Sequence, residues 1–181
     1  NIYIPKIEFY KKILKKKSFI EIGSGLGYLL KAAEKKNIKA IGYETNKIMV
    51  TKGKKKLKKN YLMHCDLENI ENIILNSRKE CLVLIGVLEH LENPNEILRC
   101  FKISKLKYLY LSLPLFSLSS IIENIFTKIY PRQLGGAHTH LYTKNSINYF
   151  VNKFKFKIIG EWWFGQDFLD LSRSFLNSSN I

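Results

Sequence analysis

The sequence predicts a doubly wound α/β fold, a mostly parallel sheet flanked by helices. Short apolar runs of strand length alternate with amphipathic stretches of helical spacing, and a glycine-rich string follows the first strand directly and opens the next helix. Strands joined by helices of this length need crossover connections, which lay successive strands parallel. The 181 residues, 46% of them hydrophobic, are enough for one packed core and too few for two full-sized domains. A single domain over 1–181 is therefore expected.

Apolar periodicity places a first helix over Pro5 to Leu14 and a strand over Phe19 to Ile22. Gly23, Gly25 and Gly27 then turn the chain into a helix from Leu29 to Lys36. The alternation continues with a strand over Lys39 to Tyr43, a helix over Lys47 to Lys58, a strand over Tyr61 to Met63 and a helix over Leu67 to Leu75. Next come a strand over Cys81 to Val87, a helix from about Asn95 to Phe101 opened by Pro94, and a strand over Lys107 to Leu113. Ile121, Ile122, Ile125, Phe126 and Ile129 stand at helical spacing within Phe116 to Tyr130, so a helical insert near 115–137 is expected, closed by the Gly135-Gly136 loop. Thr143 is placed to cap a helix over Lys144 to Asn152, a late strand is read near Lys155 to Phe164, and a short helical stretch runs from Asp167 to Leu176.

The net charge of +15 points toward phosphate-bearing partners, since clustered Lys and Arg release counterions from nucleic acid. Yet Lys outnumbers Arg 26 to 4, and Ile and Asn are abundant too, a general compositional bias rather than the Arg-rich pattern of phosphate-reading surfaces. The lysine run from Lys52 to Lys59 is accordingly read as a solvated helix face, and nucleic acid as a possible but not favoured partner. No stretch of eighteen apolar residues occurs, so no membrane helix is expected. Cys65, Cys81 and Cys100 lie far apart with no C-x-x-C pair, which argues against a structural zinc or a disulfide framework. With no signal-peptide pattern near Asn1, the expected location is the cytoplasm.

The strongest local signal is Glu21-Ile22-Gly23-Ser24-Gly25-Leu26-Gly27. Glycines between a strand and a helix let the backbone approach a ligand closely, and the helix N-terminus offers free N–H groups. The spacing G-x-G-x-G differs from the G-x-G-x-x-G that seats a pyrophosphate, and Glu21 puts a carboxylate at the loop entrance, which suits a cationic ligand. Seventeen residues after Gly27, Glu44 ends the second strand, where an acid can accept hydrogen bonds from both hydroxyls of a ribose. Asp66 follows the third strand and could accept from an adenine amino group. Three successive strand tips thus carry acids.

The fourth strand runs into Val87-Leu88-Glu89-His90-Leu91-Glu92-Asn93-Pro94. With the glycine loop, this string resembles the class I S-adenosylmethionine-dependent methyltransferases, in particular the subgroup of ubiquinone-biosynthesis O-methyltransferases, from about Phe19 to Phe164. The resemblance implies a Rossmann-like fold and S-adenosyl-L-methionine as cofactor. It also implies that Glu21, Gly23, Ser24, Gly25 and Gly27 hold the methionine part, Glu44 the ribose, and Asp66 with Leu67 the adenine, with Gly86 counted among the cofactor-binding residues. Such proteins normally have a seventh strand after the sixth; none is read after Phe164, so either the fold or the sequence itself is expected to be cut short there. Small-RNA 2′-O-methyltransferases resemble this region as well, but carry a metal-holding acid where this chain has Gly86. A ligand set of Glu89, His90 and His140 is thereby weakened, and no metal is expected.

Glu89 and His90 lie at the carboxyl end of a central strand, where open parallel sheets bind ligands, and are read as catalytic or substrate-orienting. His138 and His140 follow the loop, and one of the two is expected to serve structure; His140 or His90 is named as candidate general base. Trp162, Trp163, Phe164 and Phe168 are expected to pack the core rather than to line an acceptor pocket. The function expected is methyl transfer to a small-molecule oxygen, nitrogen or carbon nucleophile, with the insert near 115–137 covering the substrate. Methylation of RNA or another nucleic acid, a nicotinamide-dependent oxidoreductase and a cofactor-binding protein without turnover are the alternatives; the oligomeric state is left open.

Overall fold

A computed structural model of the chain describes residues 2–57, 61–125 and 138–163. They fall into two compact units, one from 1–87 with 93–112 and one from 88–92 with 113–181.

The first unit is built on five parallel strands, β1 (Phe19–Ile22), β2 (Ala40–Glu44), β3 (Leu62–His64), β4 (Cys81–Ile85) and β5 (Tyr108–Ser112), in the order β3-β2-β1-β4-β5. Chain order reverses at β1, whose neighbours are β2 and β4: Phe19 pairs with Ala40 on one side and Cys81 on the other, and Glu21 with Gly42 and Val83. That reversal is the switch point at which doubly wound sheets bind ligands, beyond the carboxyl ends of the strands. Strand β4 reads as a continuous apolar run because both its faces are covered: Cys81, Leu82, Val83 and Leu84 are fully buried, and all four residues of β1 are buried too, Glu21 among them. The connections are helices α1 (Tyr3–Leu14), which precedes the sheet, α2 (Tyr28–Lys35), α3 (Lys47–Leu57), α4 (Ile70–Leu75) and α5 (Pro94–Ile103).

Helix α1 buries Lys6, Ile7, Tyr10 and Leu14, one stripe at helical spacing, and packs on α2. The Tyr10 ring meets Phe19 of β1 at 5.3 Å between centroids, and its hydroxyl donates to the Lys17 carbonyl at 3.0 Å. Side chains of this size contribute about 1.5–3 kcal/mol each when fully buried, so the pairing fixes α1 over the start of β1. Strand β4 ends at Ile85, short of the expected Val87, because Gly86 turns the backbone with φ +64° and donates its N–H to the Ser112 carbonyl.

The second unit holds a 3-10 turn over Leu88–His90 and helices α6 (Leu118–Ile125) and α7 (Lys144–Lys153). Thr143 caps α7 as expected, accepting from the Ser146 N–H at 3.1 Å while the Ser146 hydroxyl accepts from the Thr143 N–H at 2.8 Å. Leu115 and Tyr142 form a parallel bridge, and Tyr142 and Phe150 meet edge to face. Of the insert expected over Phe116 to Tyr130, the described part is α6; Phe126, Ile129 and the Gly135-Gly136 loop lie outside the described residues.

Two expectations are corrected. Residues 155–163 form no strand: Lys155 has φ +54°, and Lys157 to Trp163 are exposed, so this stretch has no face to bury in a sheet. Trp162 and Trp163 are 42% and 51% exposed rather than packed in the core; the Trp163 indole N–H points to the Glu161 carboxylate at 3.4 Å and Lys144 Nζ sits 5.6 Å from its ring centre. Phe164, Phe168 and the stretch from Asp167 to Leu176 lie outside the described residues. Among the described residues no helix is long and apolar enough to cross a membrane.

Gly42 was not singled out by its sequence, yet it lets the glycine loop lie against β2: a Cβ there would collide with Ser24 Oγ and stand 2.6 Å from Leu30 Cδ1. Gly42→Ala is expected to cost about 1–3 kcal/mol by overpacking, measured as a lowered midpoint of urea unfolding; an unchanged midpoint contradicts this packing.

Candidate functional site

The glycine loop joins β1 to α2. Gly23, Gly25 and Gly27 all have positive φ, at +73°, +53° and +73°, a conformation that costs a side-chain-bearing residue about 1–2 kcal/mol. The Gly23 and Ser24 N–H groups donate to the Tyr43 carbonyl at 2.9 and 3.1 Å, and Gly27 donates to the Ser24 carbonyl at 2.8 Å. Buried Ser24 turns its hydroxyl to the Glu21 carbonyl at 3.1 Å. The loop is thereby laced to the ends of β1 and β2.

Glu44, buried at the end of β2, points into this loop. Its Oε2 accepts the Gly25 N–H at 2.7 Å, and its Oε1 accepts the Asn46 N–H at 2.9 Å with the Thr45 hydroxyl at 3.4 Å. A carboxylate offers about four lone-pair positions, so acceptor capacity remains on Oε2. Asp66 occupies the N-cap position of a 3-10 turn over Leu67–Asn69 without making a side-chain cap bond, and its carboxylate is largely exposed, 3.9 Å from His64 Nε2. Leu67 is also exposed.

Glu21 differs from the other two acids. It sits inside β1, 3% exposed, and its Oε2 has no hydrogen-bond partner. Burial, with the Glu44 charge adding to it and the Ser24 hydroxyl working the other way, raises its carboxyl to about 8. At neutral pH it is therefore mostly protonated. Tyr3 of α1 lies in the same electrostatic neighbourhood: burial first, then Glu21 and Tyr28, raise its phenol, and its ring meets that of Tyr28 at 5.9 Å. Tyr3 was not read as a site residue; its position at the helix start carries no sequence signal for it.

In the second unit, the segments 88–91 and 138–142 are laced together. The Glu89 carbonyl accepts the Thr139 N–H at 2.7 Å and the His140 N–H at 3.1 Å, the Thr139 hydroxyl lies 2.9 Å from the Leu91 carbonyl, and the Tyr142 hydroxyl donates to the Leu88 carbonyl at 3.2 Å. Burial, with the Glu89 charge, raises the Tyr142 phenol to about 12. This lacing brings the His90 and His138 rings to 4.7 Å between centroids. One ligand atom each from Glu89, His90 and His138 lies within 4.8 Å of the others. His140 is not part of that group: its Nδ1 faces the Thr139 hydroxyl at 2.9 Å and its ring stacks near Tyr142. Glu89 is 3% exposed with no hydrogen-bond partner for Oε2. An orphaned buried carboxylate oxygen beside two imidazoles fits a divalent cation of the transition series. The acid missing at Gly86 has a backbone reason, the positive φ there.

Residues 3–161 match the methyltransferase domain family, and the chain belongs to it. No curated protein matches the chain in sequence. Solved structures similar to it include an S-adenosylmethionine-dependent methyltransferase from Archaeoglobus fulgidus (TM-score 0.62, 15% identity, 98% of this chain and 86% of that one) and the magnesium protoporphyrin IX methyltransferase from Synechocystis PCC 6803 with bound SAH (0.64, 14%, 83% and 70%). A small RNA methyltransferase is also similar (0.59, 19%, 83% of this chain and 21% of that one). At these identities the likeness is one of fold, and the five-stranded parallel sheet is that of this methyltransferase fold.

The raised Glu21 carboxyl sets a stability trend. Its folded value lies above the ordinary 4.5, so the folded state binds the extra proton and the contribution is complete below about 4.5 and is lost as pH rises toward about 8. Melting of the ligand-free protein against Glu21→Gln between pH 5 and about 8.5 should show the gap moving in favour of the variant as pH rises; a constant gap contradicts the assignment.

Proposed function

We propose that this methyltransferase uses S-adenosylmethionine and methylates a small-molecule nucleophile at oxygen, nitrogen or carbon. The observation that carries the reading is the Gly25 N–H bound to Glu44 at 2.7 Å beside the buried Glu21: a backbone cradle rimmed by carboxylates, suited to a cationic adenosyl ligand and unsuited to a pyrophosphate. On this reading Glu21, Gly23, Ser24, Gly25 and Gly27 hold the methionine part, Glu44 the ribose hydroxyls, and Asp66 and Leu67 the adenine edge, with Gly86 shaping the tip of β4. When bound, the cofactor supplies an electrophilic methyl group whose sulfur departs as a neutral thioether. Much of the protein's contribution is then to hold the acceptor in line with that methyl.

For a hydroxyl acceptor the proton must go to a base, and His90 and His140 are assigned that role, imidazoles being able to take a proton near neutrality. Glu89 orients the acceptor side. The similarity in fold to an enzyme named for a small-molecule acceptor supports that class. The stretch 115–137 is assigned to acceptor choice, the whole of 1–181 acting as one methyltransferase domain. Three buried free thiols, Cys65, Cys81 and Cys100, suit a reducing cytoplasm.

Isothermal titration with S-adenosylmethionine tests the cofactor half. Glu44→Ala removes a charged acceptor and should weaken binding by about tenfold to a hundredfold, and Gly25→Arg should abolish it, with both variants still folded by circular dichroism. Unchanged affinity in both would defeat the site assignment.

A second reading, methylation of an RNA hydroxyl, is favoured by the Glu89, His90 and His138 group and by the exposed lysines of α3. A divalent cation held by those three side chains would polarise a hydroxyl oxygen and ease its deprotonation. If RNA is the acceptor, affinity for a short single strand should fall at least about tenfold between about 50 and about 200 mM salt, and wild-type protein but not His138→Ala should remove free manganese signal in an electron paramagnetic resonance titration. Salt-insensitive RNA binding with no manganese uptake excludes this reading.

A further inference from the structure

In the second unit, α7 and the chain that follows it present aromatic, aliphatic and basic side chains to solvent on one face. Helix α7 buries Phe150 and exposes Asn145, Asn148, Tyr149 and Lys153 on its outer side. After the turn at Lys155, residues 157–163 leave the carboxyl end of the helix, yet the Trp163 ring meets Lys144 Nζ at its amino end, 5.6 Å from the ring centre. The segment therefore runs back along α7. Every residue of it is exposed, Ile158 and Ile159 at 43% and 53% and both tryptophans of the chain among them. At the other edge Lys153 Nζ sits 5.4 Å from the centre of the exposed Tyr149 ring. Large apolar side chains gathered on one open face mark a contact surface. Its charge has one sign: from 138 to 163 the lysines are Lys144, Lys153, Lys155 and Lys157, and the sole acid is Glu161, turned to the Trp163 indole at 3.4 Å.

We propose that this face docks on a membrane surface carrying anionic phospholipids, the tryptophans and isoleucines entering the headgroup boundary and the lysines meeting lipid phosphates. Each class of partner asks for a different mixture of side chains. A nucleic acid uses cations and flat rings, but leaves exposed isoleucines in water. An apolar protein groove covers the isoleucines and tryptophans, but leaves a cluster of like charges unmatched. An anionic lipid surface takes all three kinds. Tryptophan and tyrosine settle at headgroup level, aliphatic side chains reach the acyl boundary, and lysine stems lie along apolar surface while their ammonium groups face the phosphates. The Lys144–Trp163 and Lys153–Tyr149 pairs already set ring and ammonium side by side in this way. The chain's net charge of +15 acts in the same direction, drawing the protein toward a negative surface before contact. Attachment of this kind is peripheral and reversible and needs no membrane-crossing helix. None of these side chains belongs to the glycine loop or to the Glu89, His90 and His138 group, so docking leaves both unused by the lipid.

The chain's two tryptophans both lie in this face, so intrinsic fluorescence reads the contact directly. When vesicles of phosphatidylcholine mixed with phosphatidylglycerol are added to the full chain, the emission should shift to the blue and the protein should sediment with the vesicles. Phosphatidylcholine alone should give a weaker response, and raised salt should reduce the difference. Lys153→Gln with Lys157→Gln should weaken partition to the mixed vesicles by about tenfold to thirtyfold, the contribution of two lysines near an anionic surface. Trp162→Ser with Trp163→Ser, at exposed positions that leave circular dichroism unchanged, should lose most of the sedimentation. No blue shift and no sedimentation with the mixed vesicles overturns the inference, as does binding that neither pair of substitutions changes. A blue shift produced by a single-stranded oligonucleotide but not by vesicles, or one that grows with protein concentration alone, also overturns it and assigns the face to nucleic acid or to a second copy of the chain.

Discussion

The hydrogen bond from the Gly25 amide to the Glu44 carboxylate is the contact on which the rest of the site depends. It exists because β1 and β2 run parallel in a register that brings Ile22 level with Tyr43, so the loop leaving one strand reaches the acid ending the other. A slip of one residue would turn every side chain of β1 to the opposite face, taking Glu21 out of the neighbourhood of Tyr3. The register is held by burial: Phe19 packs on Tyr10, and Cys81 to Leu84 of β4 are fully buried beside β1. Core packing at the start of the strand thus fixes chemistry at its end.

The charge of the molecule and the charge of the site have opposite signs. The chain carries +15, much of it on exposed lysines such as those of α3, whereas the charged side chains at the glycine loop are acids, Glu44 bound to the Gly25 N–H and the buried Glu21. Surface charge acts at a range of about 8–10 Å in salt and biases which partners approach. The buried acids act on contact, in a poorly solvated setting where an unpaired charge is costly and a paired one is selective. The net charge alone therefore says little about what the cleft binds.

The sheet was legible in the sequence because short, mainly apolar strands alternate with helices of crossover length, most clearly in β4, whose residues Cys81 to Leu84 are buried. The glycine loop was legible because its three left-handed positions demand glycine. The late strand was not: Phe156, Ile158 and Ile159 look like strand residues, but a strand also needs a partner edge, and single-chain composition carries no record of one. The two tryptophans misled for a related reason, since aromatic content signals burial on average and the exposed turn after Lys155 leaves them outside the core. Of the two loop histidines the expected base was His140, but nothing in the sequence says which of them stands beside His90. What separates them is tertiary, the paired N–H bonds of Thr139 and His140 to the Glu89 carbonyl, which set His138 beside His90 and leave His140 to Thr139. Gly42 and Tyr3 were silent because their importance lies in what other elements bring against them.

A crystal structure of the full chain grown with S-adenosylhomocysteine tests the central claim most directly. The account predicts ribose hydroxyls on the Glu44 carboxylate and the ligand's ammonium on Glu21 Oε2, with the glycine loop unchanged in backbone. Ligand density away from the loop, or a Glu44 side chain turned out of it in the complex, would contradict the account.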